Sequence, residues 1–261
     1  MEEKNMQKIL NKQKEHFIKN GPPSYKLRID RLERMKSLIM ENRYKFVDAL
    51  NEDFGVRSKN QSMITDAYTI VPTIEYCKKN LKKWMSPSKR KANFPFGLIG
   101  AKAQVQYEPV GTVGMISPWN FPVNLTFAPL ASIFSAGNQV MHKPSEYTEN
   151  TSNLLKELCD ASYDEEEFAT ILGGPDVGST FSSLKFDHLL YTGSGAVGKY
   201  IMKAAAENLV PVTLELGGKS PVIVSNSAES TTAAKRIMLG KTLNAGQICL
   251  APDYVMVHSE K

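Results

Sequence analysis

The sequence predicts an α/β protein: a doubly wound parallel sheet with a helical N-terminal lead-in and the start of a second α/β domain. Three observations carry this reading. From Met6 to about Met85 apolar residues recur at helical spacing, as Leu32, Met35 and Leu38 do, and Pro22-Pro23 breaks one helix from the next. Beyond Gly97 the pattern changes to short β-rich runs alternating with amphipathic stretches, which is the mark of βαβ units. A glycine-rich turn, Gly193 to Gly198, then joins one such run to a helix-like stretch.

After the lead-in, the run Ala103 to Tyr107 alternates like an exposed strand and is read as an extension for contacting another subunit. The core strands are expected at Gly111 to Ser117, Gln139 to Lys143, Phe168 to Leu172 and His188 to Thr192, each followed by a helical pattern. A further run, Pro211 to Leu216, leads into Gly217-Gly218. Pro221 to Ser225 then begins another strand, followed by a helix-like stretch from Ser227. This places a domain boundary between residues 1–216 and residues 217–261.

Composition limits the alternatives. At 261 residues, 42% apolar and 23% charged, the chain is ordinary globular material. No stretch approaches the roughly 18 consecutive apolar residues of a membrane span. Met1-Glu2-Glu3-Lys4-Asn5 lacks the apolar core of a signal peptide, so a cytoplasmic location is expected. The 3 cysteines, Cys77, Cys159 and Cys249, are odd in number and lack metal-type spacing, so free thiols and no metal site are predicted. The net charge of +5 is concentrated in Lys78, Lys79, Lys82, Lys83, Lys89, Arg90 and Lys91. With no RNA- or DNA-binding motif beside it, this run reads as a solvated helix end and loop, and no nucleic-acid partner is expected.

Gly193-Ser194-Gly195-Ala196-Val197-Gly198 matches G-x-G-x-x-G after a strand-like run and before a helical one, the Rossmann-like context for meeting a pyrophosphate. Its glycines would allow a tight turn and close approach of backbone N–H groups at a helix N-terminus. The same fingerprint asks for an acidic ribose ligand about 20 positions on, near Glu215. That role is set aside, because Glu215 lies between Leu214 and Leu216-Gly217-Gly218 at the far end of the next strand.

Four segments occur in one order: Pro118-Trp119-Asn120-Phe121-Pro122, Lys143-Pro144-Ser145-Glu146, Leu214-Glu215-Leu216-Gly217-Gly218-Lys219-Ser220-Pro221, and Asn244-Ala245-Gly246-Gln247-Ile248-Cys249. With Tyr191-Thr192-Gly193-Ser194, they resemble the aldehyde dehydrogenase superfamily. Val212-Thr213-Leu214-Glu215 and Ala251-Pro252-Asp253-Tyr254 are similar to its class 3 and coniferyl aldehyde dehydrogenase-like branch.

The resemblance implies oxidation of an aldehyde to a carboxylic acid with NAD or NADP. Residues 1–216 would then be N-terminal helices and a dinucleotide-binding domain, and residues 217–261 the beginning of a catalytic domain. Cys249 would attack the aldehyde carbon as a thiolate. Asn120 and the Cys249 backbone N–H would hold the resulting oxyanion, and Glu215 would activate water against the thioester. Lys143 and Glu146 would contact the adenosine ribose, and Ser194 and Gly198 would lie beside the pyrophosphate. Gly193, Ser117 and Trp119 complete the implied cofactor set. Gly195 departs from the family, in which many members carry a side chain.

Bottom-up, Cys249 lies among small residues after a helix-like stretch ending near Asn244, which suits an accessible turn. Glu215, among apolar neighbours, is expected to be partly desolvated with a raised pKa, as befits a base. Cys77 and Cys159 lack such companions and read as buried apolar residues. The chain ends at Lys261, soon after Cys249, whereas the resemblance implies a longer homodimeric enzyme. C-terminal truncation and an exposed apolar domain face are therefore expected. A catalytically impaired nucleotide-binding fragment is the alternative. A reductase of the ordinary Rossmann type would leave Cys249 and Asn120 without roles.

Overall fold

The computed structural model describes residues 3–260. Helix α1 (Glu3–Asn20) ends before Pro22-Pro23, and α2 (Tyr25–Phe54) begins where the Ser24 hydroxyl accepts the Leu27 N–H at 3.2 Å. The predicted stripe of α2, Leu32, Met35 and Leu38, is buried together with Ile39, Phe46 and Leu50. A short helix α3 (Lys59–Ser62) continues through a π-helical turn (Met63–Tyr68) towards α4 (Ile70–Trp84). Such turns often mark functional sites, and this one carries the buried Asp66.

Strand β1 (Ser88–Arg90) pairs antiparallel with β2 (Ala103–Val105). The basic stretch read as loop thus lies partly in a strand, because its backbone finds partners in β2 while its long side chains reach water. Lys78 is also not simply solvated, since it meets Glu33 and Glu75.

The core is a five-stranded sheet of β3 (Thr112–Ile116), β4 (Gln139–Lys143), β5 (Phe168–Thr170), β6 (His188–Gly193) and β7 (Val212–Leu216). Its order is β5-β4-β3-β6-β7, and every pairing is parallel. The crossovers are α5 (Asn124–Ala136), α6 (Glu149–Ser162), α7 (Pro175–Ser182) and α8 (Gly195–Ala206).

Burial on both faces explains the apolar character of the strands. Consecutive residues Val140 and Met141 of β4 enter two different cores. One core is built with α2, α4, α5 and α6, and the other with α1, α7 and α8. A buried ion network ties α2 to the segment before β5: Glu167 accepts from Arg31 Nε at 2.9 Å and from Arg34 Nη1 at 2.9 Å. After Leu216 the chain leaves this sheet. Strand β8 (Ser220–Val224), helix α9 (Ser230–Thr242) and parallel strand β9 (Pro252–Val257) form a separate βαβ unit. No residue of α9 is buried, so the apolar exposure expected of this end is present.

Candidate active site

The strand order reverses between β3 and β6. From β3 the chain crosses through α5 on one face, and from β6 through α8 on the other. Ligand crevices open at such points, beyond the strand C-termini. Here a cavity of about 630 Å³ is lined by Ser117, Trp119, Asn120, Lys143, Glu146, Gly193, Ser194, Glu215 and Cys249. The structure therefore brings together every sequence-predicted site residue except Gly198.

The glycines of the fingerprint have distinct physical tasks. A Cβ at Gly193 would stand 2.2 Å from the Tyr191 hydroxyl oxygen, so no side chain fits. Ser194 caps α8, its hydroxyl accepting the Val197 N–H at 3.3 Å, and places the helix N-terminus on the cavity wall. The remaining N–H groups of the first turn suit an anion. A Cβ at Gly195 would meet nothing within 4 Å, so its departure from the family leaves space without removing a contact that the backbone needs. Gly198, read as a phosphate neighbour, is not among the residues that line the cavity. It is buried one turn into α8, where a Cβ would approach Leu216 Cδ2 to 3.2 Å; its smallness serves helix-to-strand packing.

Asn120 is held from two sides. Its backbone carbonyl accepts Arg57 Nη1 at 3.1 Å and Asn244 Nδ2 at 3.0 Å, while its own side-chain amide donates to the Gln247 carbonyl at 2.9 Å. One amide N–H is left for a ligand. Asn244 and Ala245 adopt left-handed backbone, with φ of 50° and 54°, and Gly246 follows at 78°. Successive non-glycine residues of this kind are uncommon and cluster where function demands a particular loop. The next turn, closed by Ala251 N–H donating to the Ile248 carbonyl at 3.1 Å, presents Cys249 to solvent. Cys77 and Cys159 are buried, and burial pushes the Cys159 thiol well above its ordinary range. Glu215 is exposed on β7, an edge strand. The burial among apolar neighbours expected of it is not found: its side chain stands exposed on the cavity rim.

At the other end of the cavity the Lys143 ammonium meets Glu146 at 2.6 Å. Burial opposes ionisation of Glu146, but the hydrogen bond and charge of Lys143, together with its own backbone N–H, hold the carboxyl below its usual range. Beneath them, Ser117 Oγ lies 2.7 Å from His142 Nε2 and 2.9 Å from Thr126 Oγ1. Complete burial, reinforced by Lys143, lowers the His142 pKa to about 3, so this imidazole is a neutral brace.

Sequence reasoning missed Arg57, Asp66, Asn244 and His142 as supports, and Gly178, Ser179 and Ser182 of α7 as cavity wall. Only α7 left a local signal, the helix start Gly173-Gly174-Pro175. The others act through contacts between segments distant in sequence.

The sequence and the fold are similar to those of known proteins. The sequence profile described as the aldehyde dehydrogenase family matches residues 1–261. A probable coniferyl aldehyde dehydrogenase of Caulobacter vibrioides is 54% identical over 98% of this chain and 53% of its own length. The substrate-bound structure of Staphylococcus aureus AldH superposes with a TM-score of 0.91 at 35% identity, over 98% of this chain and 55% of that one. The NAD+ complex of an aldehyde dehydrogenase from Bacillus cereus superposes with a TM-score of 0.87 at 26% identity, over 99% of this chain and 52% of that one. The chain thus spans about half the length of the relatives it matches.

Proposed function

The chain belongs to the aldehyde dehydrogenase family, and from that premise we propose that it supplies the nucleotide-binding region and the cysteine nucleophile for NAD- or NADP-dependent oxidation of an aldehyde to a carboxylic acid. The observation that carries this reading is the meeting of Asn120, Glu215 and Cys249 on one cavity whose other end holds Ser194, Lys143 and Glu146. No local packing rule joins these segments; Asn120 and Gln247, which touch, are 127 residues apart.

In this reading the Cys249 thiolate bonds to the aldehyde carbon, and the carbonyl oxygen becomes an oxyanion. The free N–H of the Asn120 amide and the Cys249 backbone N–H hold that charge. A neutral donor stabilises it without protonating it. A bound nicotinamide would supply the hydride acceptor, and loss of hydride from the former aldehyde carbon re-forms the carbonyl and leaves a thioester on Cys249. Glu215 then takes a proton from water as the water attacks the thioester on Cys249, releasing acid and thiol. Lys143 and Glu146 would hold the ribose hydroxyls, Ser117 and Trp119 would border the cofactor, and Gly193-Ser194 with the α8 N-terminus would receive the pyrophosphate. The fit rests on the helix end that Ser194 caps and on the open space beside Gly195.

The name of the Caulobacter relative makes a conjugated aromatic aldehyde the first substrate to assay. Among the described residues no helix is long and apolar enough to cross a membrane. The reaction needs Cys249 reduced, which suits a cytoplasmic location, and the family resemblance adds a homodimer of the longer form to the same reading. The test is calorimetric titration with NAD and NADP, followed by measurement of reduced cofactor with aromatic and aliphatic aldehydes, using Cys249→Ala as the blank. Absence of nucleotide binding, or turnover that survives in the blank, would overturn the reading.

A further inference from the structure

The segment that carries Asn120 is pinned at both ends by one buried ion pair. Arg57, in the link between α2 and α3, is 7% exposed and Asp66 is 1% exposed. The Arg57 guanidinium lies between two rings, 4.8 Å from the Phe54 centroid and 5.0 Å from that of Phe121. Its Nη1 donates to the Asn120 carbonyl at 3.1 Å, and its Nη2 donates to Thr65 Oγ1 at 2.9 Å and to Asp66. The second oxygen of Asp66 accepts the backbone N–H groups of Val123 and Asn124, each at 3.2 Å. The pair therefore grips the chain at residue 120 and again at residues 123 and 124, where α5 begins. Asn244 donates to the same Asn120 carbonyl and links the grip to the turn before Cys249.

We propose that Arg57 is a positioning residue for the reaction at Cys249: through Asp66 and the Asn120 carbonyl it sets the place from which the Asn120 side chain donates to the oxyanion. This rests on the preceding reading of Asn120 and Cys249. A carbonyl fixed by two donors sets the peptide plane and the Cα from which the side chain springs, and the bond from the Asn120 amide to the Gln247 carbonyl then sets its direction. The bonds of Arg57 spread over Asp66, Thr65 and a carbonyl, which a planar fork reaches together and the single ammonium of lysine does not. An oxyanion donor must be placed to within a fraction of an ångström, and misplacement by about 1 Å costs on the order of a hundredfold in rate.

Two reactions of Cys249 separate positioning from general damage. With p-nitrophenyl acetate the thiolate bonds to the carbonyl carbon, an oxyanion forms, the ester C–O bond breaks and nitrophenolate leaves. With iodoacetamide the thiolate displaces iodide at a saturated carbon, and no oxyanion arises. Neither reaction needs the nucleotide. Both rates are measured for the unsubstituted chain, Arg57→Lys, Asn120→Ala and the double variant, with Cys249→Ala as blank. Lysine keeps the charge opposite Asp66, and a thermal melt of each variant checks that the fold is retained.

Acylation by the ester is expected to fall about tenfold or more in Arg57→Lys, with alkylation unchanged within about twofold. In the Asn120→Ala background the same change is expected to have little further effect, because the residue acts through Asn120. Acylation by Arg57→Lys at the unsubstituted rate, an equal loss of both reactions, or a full additional loss in the double variant would each overturn the proposal. If the unsubstituted chain is acylated no faster than Cys249→Ala, the underlying reading of the site fails, and this inference with it.

Discussion

The side-chain amide of Asn244 donates to the backbone carbonyl of Asn120 at 3.0 Å, joining segments 124 residues apart. The contact ties the loop carrying the proposed oxyanion donor to the left-handed turn that precedes the nucleophile. Asn244→Gly keeps the backbone freedom that the φ of 50° requires and deletes the tie. Cys249-dependent aldehyde oxidation is expected to fall at least about tenfold, with nucleotide affinity by calorimetry unchanged. Unaltered turnover would show that the contact is ornamental to the chemistry.

Glu215→Gln is expected to separate the two halves of the reaction. In the proposed mechanism acylation of Cys249 does not use the carboxylate, whereas attack by water does, and loss of a general base costs about 10²- to 10⁴-fold. Intact-protein mass spectrometry after mixing with nucleotide and aldehyde should show the acyl adduct on Cys249 building up. A variant that turns over slowly without accumulating adduct would remove Glu215 from the hydrolytic step.

The fingerprint glycines should respond unequally. Gly193→Ala forces a Cβ to 2.2 Å from the Tyr191 hydroxyl, so thermal stability and nucleotide affinity both fall. Gly195→Ala meets open space at the first residue of α8 and is expected to raise stability by about 0.4–1 kcal/mol through the unfolded chain. Thermal melts of the two variants, run beside NAD titrations, check the contrast. A stability loss of equal size at both positions contradicts it.

His142 predicts a pH dependence with a definite sign. Burial holds its folded pKa at about 3, against about 6.5 for a free imidazole. As pH falls below about 6.5 the unfolded chain binds a proton that the folded chain refuses, so stability declines steadily between these values. The contribution approaches about 1.4 kcal/mol per pH unit. His142→Gln offers an amide towards Ser117 and does not titrate. Its denaturant-derived stability should fall less steeply between about pH 6 and pH 4 than that of the unsubstituted chain. Parallel slopes would refute the assignment of a neutral buried imidazole.

Glu167→Gln removes the carboxylate shared by Arg31 and Arg34, whose guanidinium side chains are 2% and 30% exposed. Burial opposes ionisation of Glu167, but hydrogen bonds from Arg34 and Arg31 prevail and depress its pKa. The stabilisation it brings is therefore present above the usual glutamate pKa and is lost as pH falls through the folded value. Leaving Arg31 without its counter-charge should cost about 3–5 kcal/mol at neutral pH. Chemical denaturation of the two proteins measures this directly, and a difference below about 1 kcal/mol would mean that the network relaxes around the amide.

The strands of the core were legible because their signals are local. Val140 and Met141 are consecutive apolar residues in a run buried on both faces, and Pro22-Pro23 or Gly193-Ser194 act through dihedral angles and free N–H groups that neighbours alone define. The candidate site was half legible. Asn120, Glu215 and Cys249 were marked by the motifs around them, and their sharing of one cavity followed from resemblance and not from any spacing rule.

What the sequence by itself determined is the alternation of elements, since periodicity and turn chemistry operate over a few residues; the candidate site residues came from the resemblance of the motifs around them to a family. Tertiary structure alone decided that Gly198 packs against Leu216 instead of lining the cavity, that Glu215 stands exposed at a sheet edge, and that Arg57 and Asp66 brace Asn120. These depend on which surfaces meet after the strand order reverses between β3 and β6. Burial and hydrogen-bond geometry at such meetings are properties of the packed chain, with no trace in the neighbouring residues.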